Sequence, residues 1–288
     1  MNKKKISVIG LSGLSIFMKC DHFASSGETI LTNTFHTEYG GKGYNQAIAC
    51  ARCNLDVSFL SSFGDDEIKD KAISLLEKEH VKVMPIIKKG EKSGAATILI
   101  DKNGQNIVNC YPGASLSLTK DDVDKFENEI ISSSYLLLQL ESSDEALYEA
   151  LDIAERNNVK VILNPAPAHK IKDEDLKKCY ILTPNEQEYK LLFGDVDIKD
   201  LEYNIIVTLG DKGCIGKVDN EYFSIKANKV KVKNTTGAGD TFNGILASML
   251  ALGYNVKDAA KIATYGASLS VEKEYVIDSI PYYNDLIK

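Results

Sequence analysis

The sequence predicts an α/β fold, a mostly parallel central sheet with helices on both faces, carrying a small β appendage. Three observations lead there. Short apolar or β-branched runs recur at Ile6–Leu11, Val57–Ser62, Tyr135–Leu140, Val159–Asn164, Tyr180–Thr183 and Ile205–Leu209, the pattern of buried strands. Helix-period stretches lie between them, and such alternation builds parallel sheets covered on both sides. Two further β-rich segments break the alternation.

Taken in order, Lys3, Lys4 and Lys5 precede an apolar run from Ile6 to Met18 that imitates a secretory leader. No small-x-small cleavage site follows, and Gly10, Gly13 and three serines interrupt the run, so it reads as an opening strand. Gly27–Tyr39 and Ala95–Cys110 are the β-rich segments, and Lys102-Asn103-Gly104-Gln105 inside the second is a hairpin signal. The appendage therefore takes in about residues 12–39 and 95–110. Asn45–Ala51 has helical character. Ile68–Glu79 follows Asp65 and Asp66, which suit a helix start. In Ser142–Asn157 the residues Ser142 and Glu145 have capping-box spacing, and Ala146, Ala150 and Ala154 share one face. Phe242, Ile245, Leu246, Met249 and Leu250 recur at i, i+3, i+4, i+7 and i+8, and a last helix runs from Val256 to Val271. No linker or repeat divides the chain, which reads as one domain over 1–288 with its β appendage.

Composition narrows the function. The 288 residues are 44% hydrophobic and 26% charged, an ordinary globular balance. Thirty-four basic against 41 acidic residues give a net charge of −7, and only Arg52 and Arg156 are arginine. Such a chain is a poor nucleic-acid binder, because that affinity comes largely from neutralising phosphates. No apolar stretch reaches the 18 or so residues of a membrane span. Cys50 and Cys53 form a lone C-x-x-C within a helical stretch; without a second pair, two packed thiols are the better reading. The scattered cysteines fit a reducing cytoplasm.

The chemistry concentrates in two glycine-rich turns. Gly237-Ala238-Gly239-Asp240 opens the amphipathic helix near Thr241. Small residues at a helix N-terminus aim backbone N–H groups and partial positive charge at an anion. Asp240 then has two readings. It is a base taking a hydroxyl proton beside a transferring phosphoryl group, or it is a helix N-cap. Gly40-Gly41-Lys42-Gly43-Tyr44-Asn45 opens another helix, with Lys42 and Asn45 as donors suited to sugar hydroxyls. Neither turn is a P-loop or a dinucleotide fingerprint.

Together these residues resemble the ribokinase, or PfkB-type, family of sugar kinases, over nearly the whole chain. The matching motifs are GETI (27–30), GGKGYNQA (40–47), QLES (139–142), NPAPA (164–168), TPNEQE (183–188), TLGDKG (208–213) and GAGDTFNG (237–244). The resemblance implies a ribokinase-like fold whose appendage is a lid. It implies an ATP- and magnesium-dependent kinase acting on a primary hydroxyl, with ribose as first acceptor. Deoxyribose, a hexose or a nucleoside is the alternative, and a sugar-binding protein without catalysis is a further one. Asp240 matches the catalytic base, and Gly237, Ala238 and Gly239 the anion hole. Gly13, Ser15, Gly41, Lys42, Asn45 and Glu141 match sugar-binding positions. Asn185, Thr208, Gly210, Gly213, Gly239 and Thr264 match nucleotide contacts, Glu188 an indirect magnesium position, and Asn234, Thr236 and Ser279 a monovalent-cation (K+) loop. A homodimer through the lid is a further implication.

The sequence also departs from the pattern. Gly13 and Ser15 stand where ribokinases place Asn and Asp, and losing such a partner costs about 1–3 kcal/mol. Asn234 replaces an aspartate of the cation loop, and Tyr275 a glycine. Phe193–Asn204 is shorter than its counterpart, which removes room for a peripheral helix.

Overall fold

In the computed structural model, which describes residues 4–32 and 34–287, Lys5–Ile9 (β1) lies deep inside the larger of two sheets. It pairs in parallel with Asp56–Gly64 (β4) on one side and Tyr135–Gln139 (β8) on the other, with Val8 opposite Phe59 and Leu137. A strand in this place is structural core. Lys3 of the basic start, and Asn33 within the 12–39 segment, lie outside the described residues.

The sheet continues outward through the edge strand Val81–Lys88 (β5) on one flank. On the other it runs through Lys160–Asn164 (β9), Ile181–Leu182 (β10) and Ile205–Thr208 (β11), all parallel. The hairpin Cys214–Val218 (β12) and Glu221–Ile225 (β13) closes that flank antiparallel. A second sheet holds Gly13–Lys19 (β2), Thr34–Gly40 (β3), Gly94–Ile100 (β6) and Asn106–Tyr111 (β7) in the order β3-β2-β6-β7. This is the expected lid. Its strand β2 comes from the N-terminal apolar run, and among the described residues of the segment 27–39 strand is found from Thr34 onward.

Helices cover both faces of the large sheet. Lys42–Arg52 (α1), Ile68–Lys78 (α2), Ala238–Ala251 and Val256–Ser270 bury one side through residues such as Ile48, Leu76, Ile245 and Ala263. The short helices Lys120–Asp124 (α3) and Glu127–Ile131 (α4) with Asp144–Arg156 (α5) bury the other through Val123, Ile130, Leu147 and Leu151. Along the chain come Asp173–Leu176 (α6) and Glu186–Phe193 (α7). The two long helices are α8 and α9, followed by Val276–Ser279 (α10) and Tyr283–Leu286 (α11). No helix is assigned in 194–204, as the shortened stretch implies.

Local details correct one expectation and bear out another. The cap of α5 is Ser143, whose Oγ accepts from Ala146 N at 3.1 Å. Glu145 instead accepts from Lys120 N at 2.9 Å, outside its own helix, so the Ser142–Glu145 box does not form. Cys50 and Cys53 are buried thiols, and Cys50 Sγ donates to Gly244 O at 3.4 Å. On the α4 side, Glu129 gathers Lys5 Nζ at 2.5 Å, Lys82 Nζ at 2.6 Å and Ser58 Oγ at 2.6 Å, tying β1, β4 and β5 together.

Candidate active site

The glycine turn at 237–239 and the one at 40–43 open α8 and α1, and these helices pack side by side. Gly237 caps α8 at φ 78°. A Cβ there would stand 2.4 Å from Val276 Cγ1 as well, so both conformation and space demand glycine. Asp240 is therefore the third residue of the helix and not its N-cap. Its carboxylate turns inward, where Oδ2 accepts from Asn45 Nδ2 at 2.8 Å and Oδ1 from Gln46 Nε2 at 3.0 Å.

Charged groups converge on this point. Lys42 opens α1, and its backbone N–H donates to Glu141 Oε2 at 2.9 Å while its Nζ lies 4.0 Å from Glu141 Oε1. Burial pushes the Asp240 carboxyl above its ordinary range, against the pull of Lys42, Asn45 and Gln46. Burial likewise raises Glu141 and Glu188, both close enough to Asp240 to feel its charge. For Lys42 burial works downward, but Glu141, Asp240 and Glu188 outweigh it and the ammonium is held above its usual value. One cation among three carboxylates is a setting able to hold a proton or a polyanionic group in place.

The lid supplies the roof. Ser15 on β2 and Asn45 flank Gly40, with Ser15 Oγ and Asn45 Oδ1 each 3.3 Å from where a Gly40 Cβ would sit. Asn45 Oδ1 is buried with no hydrogen-bond partner among the described residues. Cys110 on β7 faces Glu141 and Lys42. Gly13 differs, because a Cβ on it would lie 2.3 Å from Gly94 O on the neighbouring lid strand. It has no room for a side chain directed at a ligand.

Of the remaining expected residues, Asn185 and Glu188 form a capping box on α7, each accepting the other's backbone N–H at 2.8 Å. Asn185 also bridges Thr208 in parallel, and Gly210 and Gly213 shape the turn that follows. Thr264 sits beneath this region on α9, its hydroxyl donating to Ala260 O at 2.8 Å and lying 3.4 Å from Cys214 Sγ. Asn234 Nδ2 donates to Glu274 O at 2.7 Å, and its Oδ1 accepts from Thr236 N at 3.0 Å. Ser279 Oγ donates to Val276 O. Beside them Glu38 of β3 accepts from Val276 N at 2.8 Å and Ile277 N at 3.3 Å. His36 stacks on Tyr275 at 3.6 Å. The motif reading assigned no role to Gln46, Gln139, Asn164 or Glu38. The first three sit inside quoted motifs, and their positions were the available signal.

A family model described as pfkB family carbohydrate kinase matches residues 3–282. The chain belongs to this family. Within it, the Staphylococcus aureus (strain COL) ribokinase is 33% identical over 298 residues, spanning 98% of both chains. The crystal structure of Thermotoga maritima ribokinase is 35% identical with a TM-score of 0.86, covering 98% of this chain and 97% of that one. The Arabidopsis thaliana ribokinase, solved in complex with ribose and ATP, is 26% identical with a TM-score of 0.85, covering 98% and 97%. The chain is thus a carbohydrate kinase of the ribokinase-like fold, a phosphotransferase acting on an alcohol group. Among the described residues no helix is long and apolar enough to cross a membrane.

Proposed function

We propose that this kinase transfers the γ-phosphate of ATP to a primary hydroxyl of a small sugar, with ribose the first acceptor to test. The observation that carries the reading is the Asp240 carboxylate. It is buried one residue past the Gly237–Gly239 turn and shares its pocket with Lys42 and Glu141. In this reading Asp240 takes the hydroxyl proton during in-line attack, and the N–H groups of Gly237, Ala238 and Gly239 stabilise charge on the phosphoryl oxygens. Gly41, Lys42, Asn45, Glu141 and Ser15 orient the acceptor. Asn185, Thr208, Gly210 and Gly213 frame the nucleotide. Thr264 walls that region, since its hydroxyl is engaged by its own helix. Magnesium, when bound with ATP, neutralises phosphate charge. Glu188 fits its surroundings, having one carboxylate oxygen free of the capping box.

At the monovalent-cation positions the Asn234 amide donates to Glu274 O and the Ser279 hydroxyl to Val276 O, so Asn234 Oδ1 and Ser279 Oγ would offer an ion neutral oxygens where the family pattern has a carboxylate. The outward lid face exposes Phe35 at 72% and Ile107 at 42%, which supports pairing with a second copy through the lid.

Gly13 and Ser15 favour a second acceptor reading, a kinase for a sugar other than ribose. A panel of ribose, deoxyribose, hexoses and nucleosides with ATP and coupled ADP detection decides. ADP release with one acceptor supports the kinase and names its substrate. Tight sugar binding with no ADP release for any acceptor would favour a protein that binds sugar without catalysis.

A further inference from the structure

Behind the candidate base lies a chain of buried side-chain amides whose polarity is fixed from both ends. Asn164 Nδ2 donates to the backbone carbonyl of Thr183 at 3.0 Å. A carbonyl can only accept, so Asn164 must turn its Oδ1 the other way. There it receives Gln46 Nε2 at 3.2 Å. The same Gln46 nitrogen donates its second hydrogen to Asp240 Oδ1 at 3.0 Å. On the far side Gln46 Oε1 accepts from Gln139 Nε2 at 2.7 Å. Flipping Gln46 would place its oxygen against the Asp240 carboxylate and Asn164 Oδ1, both acceptors, and its NH2 against that of Gln139. The amide therefore has one orientation.

Maintaining that orientation has a visible cost. Gln139 Oε1 is buried with no hydrogen-bond partner among the described residues. It points at Gly10 and Gly43, where added Cβ atoms would come within 2.2 and 3.0 Å of it. Gln46 and Gln139 are 0% and 1% exposed. Burying an unpaired amide oxygen is unfavourable, so the alignment of Gln46 is the arrangement this pocket maintains.

From this geometry we infer that Gln46 is a positioning residue for Asp240, its polarity set by Asn164 and its oxygen held by Gln139: the pair holds the carboxylate in one rotamer and favours its ionised form. The inference rests on Asp240 being the base of the proposed reaction. The groups facing Asp240 are Lys42, which favours ionisation, and Glu141 and Glu188, which oppose it. Asn45 supplies the other donor. Removing the Gln46 donor leaves Asn45 and Lys42 to offset burial.

The test titrates Asp240 directly in the full-length protein. Carbon-13 NMR of labelled aspartate carboxyls follows its pKa, with the resonance assigned by its loss in Asp240→Asn. In Gln46→Met the titration should move up by about one unit or more, roughly a tenfold change in proton affinity. Gln139→Met, one residue further from the base, should move it in the same direction by less. The acid limb of the ATP-dependent rate with ribose, or with the acceptor preferred in the panel, should shift in parallel, while KM for ATP changes little. Asp240 titrating at the wild-type pH in both folded variants would overturn the inference. A shifted titration in a protein that phosphorylates no acceptor would uphold the positioning role and reject the kinase reading instead.

Discussion

An asparagine at position 13 should destabilise this protein. Gly13 pairs with Gly94 at the start of a seven-residue parallel ladder that ends at Lys19 and Ile100. A Cβ at position 13 would lie 2.3 Å from Gly94 O, 2.5 Å from its carbonyl carbon and 2.9 Å from its Cα. All three are backbone atoms, so no rotamer change relieves the contact. Opening the shortest one to 3.0 Å moves β6 by at least about 0.7 Å, and overpacking of this kind costs about 1–3 kcal/mol. In a chain of this size that lowers Tm by roughly 2–10 °C. Calorimetry should register the drop in Gly13→Asn, and amide exchange should quicken along Gly94–Ile100. Ser15→Asp, made alone, is the informative partner. If ribose is the acceptor, a carboxylate there should raise kcat/KM for ribose by about ten- to a hundredfold. A Gly13→Asn protein with unaltered Tm and unaltered exchange in β6 would refute the packing argument.

Three further outcomes are expected. Asp240→Asn should lower kcat by at least about a hundredfold while leaving ATP binding nearly unchanged; a rate within a few-fold of wild type would remove Asp240 from the chemistry. Glu38→Ala leaves the buried N–H groups of Val276 and Ile277 without their acceptor. It should cost about 1–3 kcal/mol and speed amide exchange at 276–277, and unchanged exchange there would contradict the contact. For Glu129, burial is outweighed by Lys5, Lys82 and Ser58, which hold its pKa near about 2, below the ordinary 4.5. A depressed carboxyl stabilises the fold above its unfolded pKa, and that contribution fades as pH falls from 4.5 through about 2. Urea midpoints of wild type and Glu129→Gln should therefore differ more at pH 7 than near pH 3, and an equal gap at both would count against the ion cluster.

Much of this architecture was legible in the residues. The six apolar runs became β1, β4, β8, β9, β10 and β11 because strands buried on both faces must be continuously apolar. β5 escaped notice because Pro85 interrupts it. Proline is tolerated there since β5 is an edge strand. The β12–β13 hairpin turns through Asp219 and Asn220, both at positive φ, a signal the strand-helix alternation masked. At the site, the motifs marked Asp240, Lys42, Asn45 and Glu141, and the fold brings these four together. The motifs could not show that Gly13 lacks room for a side chain, because the obstacle is Gly94, 81 positions away. Nor could they show what Gln46 touches, since Gln139 and Asn164 arrive on separate strands.

The grip of Glu38 makes opening of the lid a reversible bond-breaking event with a threshold. Its strand β3 runs directly into Gly40 and α1, and its carboxylate holds Val276, the residue packed against Gly237. Swinging β3 away means releasing two backbone N–H groups, each bond to a charged acceptor worth about 1.5–3 kcal/mol. The lid strand and the glycine turn at 237–239 therefore share a mechanical boundary. In the proposed reading, a ligand that reshapes one changes the work of moving the other, and any such coupling of acceptor and nucleotide affinities acts by the same factor in both directions.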